Sequence, residues 1–296
     1  MPYRNLMISS PARISCRREQ LVVQTEATHT FPLEDLVSVL IESLQTTVTA
    51  AALAALAQHG VTVYCCDEKH LPCGVGLPFA QHTRQLEVTR SQLAWSLAMK
   101  KRLWQQIVVA KIKNQAECLA LCGKTEDAAF LYSRAAAVRS GDADNMEAVA
   151  AAQYFPALFG AGFTRSAETD ARNAALNYGY AILRGCMARC LAAYGFMPWL
   201  GLHHESELNP FNLADDCMEP YRPVVDLFVA AQVAEDVALD TALKSRLFNL
   251  LNADILSGKQ HHSVAYAMER QVQGLRKAEP TAVLPTLLPT QPHRYE

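Results

Sequence analysis

Residues 200–226 concentrate side chains that could do chemistry. In this segment, LGLHHESELNPFNLADDCMEPYRPVVD, two adjacent histidines precede a group of acids: His203, His204, Asp215, Asp216, Glu219 and Asp226. Asp216 and Glu219 are three residues apart, so on a helical turn their carboxylates share a face and repel each other unless protons or a cation neutralise them. Carboxylate oxygens suit Mg²⁺, and an imidazole makes Mn²⁺ attractive as well. The segment is therefore either a divalent-metal site or a surface loop with solvated acids.

A further candidate is Glu147, an acid in an otherwise small and apolar segment. It lies in DNMEAVAAAQYFPALFG and is the only charged residue between Asp144 and Arg165. A glutamate near a helix N-terminus commonly stabilises the helix dipole, so the position alone does not require a catalytic role. A role as a metal ligand stays open beside that structural interpretation.

Basic residues cluster in one stretch of the chain. Residues 84–113 contain a single acid, Glu87, and many lysines and arginines. The basic residues are Arg84, Arg90, Lys100, Lys101, Arg102, Lys111 and Lys113. A positive excess of this size is enough for a surface that follows a phosphate backbone, although a solvated helix face has the same composition.

The overall composition indicates a folded protein of one or two domains. The chain has 296 residues, of which 50% are hydrophobic and 19% charged. These values exclude disorder for most of the chain, because the apolar side chains can offset the entropy lost on folding. The longest charge-free run is interrupted by polar residues and predicts no membrane span, and the N-terminus lacks the pattern of a signal peptide. The nine cysteines have no zinc or disulfide framework spacing, which favours a reducing cytoplasm.

Up to about residue 80 the chain has the pattern of short strands. NLMISS, RISCR and QLVVQT are separated by turn residues, and LVSVLI and VTVYCC are β-branched apolar runs of strand length. Between the last two, Thr49 can cap a helix, AALAALAQHG, that Gly60 ends. Residues 1–80 are therefore predicted to form a small, mainly β lobe with one helix.

From about residue 84 the pattern is helical, and no strand is predicted. Helical signals occur at residues 84–121, 125–138, 144–159, 168–193, 223–236, 239–256 and 258–277. Residues 279–296 contain four prolines and are predicted to form a flexible tail. The predicted class is α+β, with a small N-terminal β-rich lobe followed by a larger all-α lobe at residues 84–278.

The order of these segments resembles one known family. Glu147, in an Ala-rich helix ending Tyr-Phe, is followed by LNYGYAIL and then by HHESELNPFNLADDCMEPYRP. Upstream, YRNLMISSPARISCRREQLVV resembles the family's opening β-hairpin, and TFPLEDLVSVLIES, CCDEKHLPCG and RLWQQIVVAKIKNQA match further blocks in order. The family is that of the CRISPR-associated adaptation integrases, the "Cas-one" proteins, and the histidine-containing block resembles its type II branch.

This resemblance implies a sandwich-like N-terminal lobe that dimerises and a helical lobe that holds a catalytic metal ion. Glu147, His204 and Glu219 match the family's metal ligands and catalytic residues. Asp216 and His203 are implied as auxiliary residues near the ion. His204 is preferred to His203 as the ligand by counting back along the sequence from the Met-Glu-Pro glutamate. The implied cofactor is Mg²⁺ or Mn²⁺.

The implied reaction joins DNA strands in the acquisition of spacers for antiviral defence. The 3′-hydroxyl of a short incoming duplex attacks a phosphodiester at the edge of a CRISPR repeat. One phosphodiester replaces another, which agrees with the lack of a GxxxxGK[ST] nucleotide-binding loop. Candidate contacts to the DNA backbone are Arg84, Arg90, Lys100, Lys101, Arg102, Lys111 and Arg165.

The same resemblance implies the partners and leaves two alternative functions. The expected partners are prespacer and leader–repeat duplex DNA, a second copy of the chain, a dimer of the small second CRISPR adaptation protein and the type II effector nuclease. The expected location is the prokaryotic cytoplasm, with no membrane contact. One alternative is a metal-dependent endonuclease that hydrolyses branched or single-stranded DNA with the same ligands. The other is a non-catalytic DNA-binding scaffold.

Overall fold

The N-terminal part of the chain is built from short strands and one helix. The computed structural model describes residues 4–77, 82–167, 170–257, 259–276 and 285–286. The first elements are β1 (Arg4–Ile8), β2 (Arg13–Arg17), β3 (Gln20–Gln24), β4 (Thr28–Pro32), β5 (Leu36–Ile41), β6 (Thr47–Val48), α1 (Ala50–Gln58), β7 (Thr62–Cys66) and β8 (Pro72–Gly76). The predicted helix is confirmed, because Thr49 accepts a hydrogen bond from the Ala52 amide at its start and Gly60, with φ of 71°, follows its end.

The strands form two sheets that share a core. One sheet has the order β1-β5-β7-β8, and the other has the order β4-β3-β2-β6. Ile14 and Leu21 of the second sheet pack in the same buried cluster as Val39 of the first sheet and Leu56 of α1. The predicted sandwich-like β lobe is therefore confirmed.

The opening segment divides between these two sheets. β2 and β3 form an antiparallel hairpin, and its turn residues Arg18 and Glu19 both have positive φ, as a tight two-residue hairpin turn requires. β1 instead pairs with β5 in a parallel ladder. The hairpin expected at the start of the chain is thus formed by its second and third strands.

The C-terminal part is mainly helical and is organised around two long helices. Its helices are α2 (Gln85–Leu93), α3 (Leu97–Leu121), α4 (Thr125–Ala137), α5 (Met146–Phe159), α6 (Ala171–Ala193), α7 (Asn212–Met218), α8 (Arg222–Gln232), α9 (Thr241–Asn249) and α10 (Val264–Arg276). α3 packs against α4, α5 and α8, and it also contacts the turn between α7 and α8. α6 packs against α7, α8 and α10. α3 therefore reaches each of the segments that carry the candidate acids.

The α+β class and the order of strands and then helices are confirmed, but the prediction of an all-α second part is wrong in detail. β9 (Asp254–Ser257) and β10 (Gln260–Ser263) form an antiparallel pair where helices were predicted, and β11 (Pro285–Thr286) pairs with β9. Ile255 and Ser257 are buried while Asp254 and Leu256 are less so, which is the period of a strand. A run of four residues is too short for its periodicity to distinguish a strand from a continuation of the preceding helix. The pairing with a neighbouring strand decides its conformation.

A second correction concerns the helix predicted over residues 84–121. The structure divides it into α2 and α3, and Ser96 begins α3 by accepting a hydrogen bond from the Met99 amide at 3.2 Å. The break lies between the two basic groups of the stretch. It leaves Arg84 and Arg90 on or beside α2 and the remaining basic residues on α3.

The two parts of the chain are in close contact. The Tyr64 hydroxyl on β7 donates to the Ile182 carbonyl oxygen on α6 at 3.1 Å, and Lys244 Nζ on α9 lies 2.9 Å from Glu42 Oε1. A division into domains at residues 80–84 stays a prediction. The predicted tail at residues 279–296 lies outside the described residues, except for Pro285–Thr286. In the part of the chain that the structure describes, no helix is both long and apolar enough to cross a membrane.

Candidate metal centre

Glu147 is held at the start of α5 by a turn of unusual backbone conformation. Gly141 has φ of 70°, and Asp142 and Asn145 have φ of 53° and 52°. A Cβ on Gly141 would lie 2.9 Å from Lys101 Cγ, so the turn packs directly on α3. The Asp142 carboxylate accepts hydrogen bonds from the amides of Met146 at 2.8 Å and Glu147 at 3.0 Å. Sequence reasoning missed Asp142, although an acid a few residues before an Ala-rich helix is a capping signal.

The histidine segment is folded around Asp216. This carboxylate is fully buried and accepts hydrogen bonds from the amides of Leu202, His203 and His204 at 2.6, 3.0 and 3.2 Å. The turn needs glycine at its start, because a Cβ on Gly201 would lie 2.1 Å from the His204 carbonyl oxygen and 3.0 Å from Asp216 Oδ2. Asp216 thus shapes the loop that carries the histidines.

The two adjacent histidines have different surroundings. His203 stacks on the buried Trp104 ring, with centroids 4.3 Å apart and planes within 2°. His204 Nδ1 lies 2.6 Å from Asp216 Oδ1. Because an ionised carboxylate only accepts, Nδ1 is the donor, and Nε2 of the neutral ring keeps its lone pair. This arrangement favours His204 over His203 as a ligand, since metal-binding histidines usually donate their other ring nitrogen to a carboxylate.

Glu219 lies in the turn between α7 and α8 and is 3% exposed. Its Oε1 is 2.9 Å from Arg222 Nε, and its Oε2 is 2.5 Å from Lys111 Nζ. Oε2 has no hydrogen-bond partner with acceptable geometry among the described residues. The turn is fastened to α3, since Asn114 Nδ2 donates to the Pro220 carbonyl oxygen at 2.7 Å. The sequence offered no signal for the role of Asn114 beyond its place in KIKNQ.

Lys111 joins the two glutamates. Its Nζ lies 2.6 Å from Glu147 Oε1 as well as 2.5 Å from Glu219 Oε2, and its side chain is 12% exposed. Sequence analysis placed Lys111 among the DNA-backbone contacts. The structure instead directs its ammonium group into the carboxylate pair.

The charges of this cluster shift the pKa values of Lys111, Glu219 and His204 in the direction expected from their neighbours. Burial lowers the pKa of Lys111, but Glu219 and Glu147 raise it further, so it stands above its ordinary value. Burial raises the pKa of Glu219, but Lys111 and Arg222 lower it below its ordinary value. The hydrogen bond to Asp216 raises the pKa of His204 against the effect of burial, and the charges of Glu219 and Glu147 act in the same direction.

These side chains form a donor set that suits a hard divalent ion. Across the described residues, no group of three His, Cys, Asp or Glu side chains is arranged as a metal site as it stands. Glu147 and Glu219 nevertheless bring one oxygen each to a single cationic atom, Lys111 Nζ. One of these oxygens is buried without a hydrogen-bond partner, and His204 lies close enough for their charges to affect its pKa. Two carboxylates and an imidazole fit Mg²⁺ or Mn²⁺.

Comparison with known proteins identifies the family. The family described as CRISPR associated protein Cas1 matches residues 6–242. The chain belongs to the Cas1 family. Over 305 aligned positions it is 45% identical to the CRISPR-associated endonuclease Cas1 of Neisseria meningitidis serogroup C (strain 8013), and the alignment covers 100% of both chains. The family expected from the ordered sequence blocks is thereby confirmed.

Solved structures share the fold of this Cas1-family chain. A casposase bound to integration product has a TM-score of 0.75, with 95% of this chain and 91% of the casposase chain covered at 18% identity. A chain of a Cas6-RT-Cas1–Cas2 complex has a TM-score of 0.71, with 96% of this chain and 36% of that chain covered at 21% identity. At these identities the likeness shows the fold alone.

The other acids of the histidine segment lie outside the glutamate pair. Asp215 is paired with Arg184 Nε at 2.6 Å and accepts a hydrogen bond from Asn209. Asp226 is 1% exposed and accepts hydrogen bonds from the hydroxyls of Tyr154, at 2.9 Å, and Tyr180. Burial raises the pKa of Asp226 to about 6. Both acids therefore have structural partners.

The predicted DNA-contact residues fall into groups that differ in exposure. Arg84, Arg90, Lys101 and Arg102 are exposed, and Arg84 lies 3.8 Å from Glu87. Lys100 is half-buried and lines a cavity of about 730 Å³ that also borders His204 and the exposed Trp199. Arg165 donates to the side-chain oxygens of two asparagines, Asn173 and Asn177.

Proposed function

We propose that this Cas1-family protein is a divalent-metal-dependent DNA integrase that joins the 3′-hydroxyl ends of a short prespacer duplex to a CRISPR repeat. The observation that carries the proposal is the meeting of Glu147 and Glu219, from two separate helical segments, at one cationic atom. His204, with its tautomer set by Asp216, lies near enough to both glutamates for their charges to raise its pKa. Solvated surface acids would not meet in this way.

In this proposal Glu147, His204 and Glu219 hold Mg²⁺ or Mn²⁺. The bound ion supplies a Lewis acid that offsets negative charge developing on the attacked phosphodiester. Asp216 keeps the proton on His204 Nδ1, which leaves Nε2 free to coordinate. The bond between the attacking 3′-oxygen and phosphorus forms as the bond to the leaving 3′-oxygen breaks, so the number of phosphodiesters is unchanged and no nucleotide hydrolysis is needed.

The exposed basic residues of α2 and α3 provide the proposed path for the DNA backbone. Arg90, Lys101 and Arg102 present their charges to solvent, and Lys100 lies at the cavity beside His204. Contacts of this kind position a duplex without reading its sequence. Target choice then depends on the bending of the leader–repeat junction as well as on base contacts.

The proposed assembly contains a second copy of the chain, joined through the β lobe, and a dimer of the small second adaptation protein. A solved structure with this fold is a Cas6-RT-Cas1–Cas2 complex, and another is a casposase bound to integration product. These neighbours support Cas2 and DNA as partners. The type II effector nuclease is proposed as a further partner that selects the incoming DNA.

A second candidate function is metal-dependent hydrolysis of branched or single-stranded DNA. The relative that is 45% identical is named an endonuclease, and the same ligands serve this reaction when water replaces the 3′-hydroxyl. A non-catalytic scaffold is disfavoured, because it has no use for two glutamates joined at one ammonium group beside an oriented histidine. Joined and cut products distinguish the first two functions.

The test combines the purified protein and its small partner with a labelled duplex that carries 3′-hydroxyl ends and a supercoiled repeat plasmid in Mn²⁺. We expect label to join the plasmid at the repeat edge with wild type and not with Glu147→Ala. Glu126→Ala is the matched control, because Glu126 is the second residue of α4, as Glu147 is of α5, but is exposed and away from the pair. Cutting without joining would establish the endonuclease instead. DNA binding with neither product would leave the scaffold.

A further inference from the structure

Lys111 has a position that the proposed chemistry does not itself require. It lies on the buried side of α3, and only 12% of its side chain is exposed. Burying an ammonium group is unfavourable unless it is paired. Its two partners are the two glutamates proposed as metal ligands, and the contacts are to Glu147 Oε1 at 2.6 Å and to Glu219 Oε2 at 2.5 Å.

The cluster is balanced in charge when no divalent ion is bound. Two carboxylates, Glu147 and Glu219, face two cations, Lys111 and Arg222. Without Lys111, Glu147 has no other cation among the described ion pairs, and the two carboxylates would repel each other where Glu219 has almost no access to solvent. The ammonium therefore holds the two glutamates together before any ion arrives.

The ammonium occupies the two oxygens that a divalent ion between the glutamates would use. Oε2 of Glu219 is buried and lies 2.5 Å from Lys111 Nζ. Adding a doubly charged ion between the carboxylates while Lys111 stays would place like charges side by side. A lysine suits a role of this kind, since its compact charge sits on a flexible four-carbon chain that can move aside, whereas the planar arginine group binds carboxylates in a fixed fork.

We infer that Lys111 is an internal counterion that holds the place of the divalent ion between Glu147 and Glu219 and is displaced when the ion binds. This inference rests on the proposed metal-dependent function. It makes Lys111 a positioning residue with two opposing effects. It preorganises the ligands of the ion-free protein, and it competes with the ion for them.

The test measures Mn²⁺ binding to the full-length, metal-free protein from the electron paramagnetic resonance signal of free Mn²⁺, without DNA or turnover. Lys111→Met keeps most of the length of the side chain and removes its charge. We expect this variant to bind Mn²⁺ about tenfold more tightly than wild type, because the competing cation is gone. Lys113→Met is the matched control, since Lys113 is exposed two residues further along α3, and it should bind as wild type does.

Thermal unfolding provides a second readout. Without metal, Lys111→Met should melt below wild type because its glutamates repel each other, and saturating Mn²⁺ should raise its Tm by more than it raises that of wild type. If the metal-free variant does not fold at all, refolding in Mn²⁺ should rescue it. A variant that Mn²⁺ does not rescue, or one that binds Mn²⁺ no more tightly than wild type, would overturn the inference.

Glu147→Ala separates this inference from the proposed function. If wild type binds Mn²⁺ and Glu147→Ala does not, the metal site exists, and only the behaviour of Lys111→Met decides the role of the lysine. If wild type shows no Mn²⁺ binding that depends on Glu147, both the metal site and the displacement of Lys111 are refuted. Lys111 would then be a permanent ion pair of the fold.

Discussion

Glu219 and Asp226 lie close together in the sequence and are almost equally buried, yet one has charged side-chain partners and the other has neutral ones. Glu219 faces Lys111 and Arg222, and Asp226 accepts hydrogen bonds from the hydroxyls of Tyr154 and Tyr180. Burial raises the pKa of both acids, but the two cations lower that of Glu219 below its ordinary value, while Asp226 stays at about 6. Burial alone therefore does not identify a cation site. The charge of the neighbours does.

The two acids belong to adjoining parts of one structure. Arg222 contacts Glu219 Oε1 through Nε, and its guanidinium lies 4.6 Å from the centre of the Tyr180 ring. Tyr180 in turn donates to Asp226. Asp226 thus supports the wall behind the site, and Glu219 forms part of the site. Replacing the acid by its amide should therefore have very different effects at Glu219 and at Asp226.

The largest effect is expected from Glu219→Gln. The amide keeps the shape of the side chain but removes the charge that faces Lys111 and holds the ion, so strand joining should fall by about a thousandfold. Joining of labelled duplex to the repeat plasmid measures it. Glu126→Gln on the exposed face of α4 is the control and should act as wild type. Activity of Glu219→Gln within a few-fold of wild type would remove Glu219 from the ligand set.

A smaller loss is expected from Asp216→Asn. Asp216 is a third buried acid of the segment, and it acts on the site only through His204 and the backbone of the histidine loop. An amide offers one acceptor oxygen where the carboxylate offers two, so both Mn²⁺ affinity and joining should fall by about 10- to 100-fold. The two measurements should fall together while the circular dichroism spectrum is kept. Loss of joining with unchanged Mn²⁺ affinity would contradict the proposed orientation of His204.

Asp226→Asn should change stability more than chemistry. The folded protein holds the pKa of Asp226 at about 6, above its ordinary 3.8, so the unfolded chain releases this proton first as the pH rises. The contribution of Asp226 to the free energy of unfolding is therefore largest below about pH 4 and falls by about 3 kcal/mol up to about pH 6. Asparagine does not ionise, so the variant lacks this pH-dependent loss. Its free energy of unfolding, measured in urea, should rise relative to that of wild type between pH 4.5 and pH 7.

The activity of the same variant tests whether Asp226 belongs to the site. Strand joining by Asp226→Asn at pH 7 should stay within about threefold of wild type, because Asp226 has no contact with the glutamate pair. Equal pH dependence of unfolding in variant and wild type would show that the pKa of Asp226 is the same in the folded and unfolded protein. A loss of joining as large as that of Glu219→Gln would place Asp226 in the site itself.

The smallest effect is expected from Tyr180→Phe. The change removes one of the two hydroxyls that donate to Asp226 but keeps the aromatic ring over which Arg222 lies. Joining should change by less than about twofold, and the free energy of unfolding at pH 7 should fall by about 1–2 kcal/mol because Asp226 loses a hydrogen bond. Tyr180→Leu, which also removes the ring, should lower joining further if Arg222 depends on that ring for its position.

The candidate ligands were open to prediction from the sequence, and their supports were not. Glu147 stands out as the one charge in an apolar segment, whereas His204 and Glu219 were chosen among neighbouring histidines and acids because the ordered blocks resemble one family. Asp142 and Asn114 were missed, since a capping acid after a left-handed turn and an amide that binds a distant carbonyl leave no regular spacing in the chain. Lys111 was assigned to the DNA surface for the same reason. A basic residue in a basic stretch looks exposed until the fold turns it inward.

The α+β class, the early strands, most of the helices and the family were predictable from the sequence, because they depend on hydrophobic periodicity, on capping residues and on the order of motifs along the chain. The structure was needed to show which of two adjacent histidines faces Asp216, which buried acid meets cations and which meets hydroxyls, and where the ammonium of Lys111 lies. The two kinds of feature differ in the range of the interactions that set them. Secondary structure follows from neighbours a few residues apart, whereas the charge environment of a buried group is set by side chains that folding brings together from distant parts of the chain.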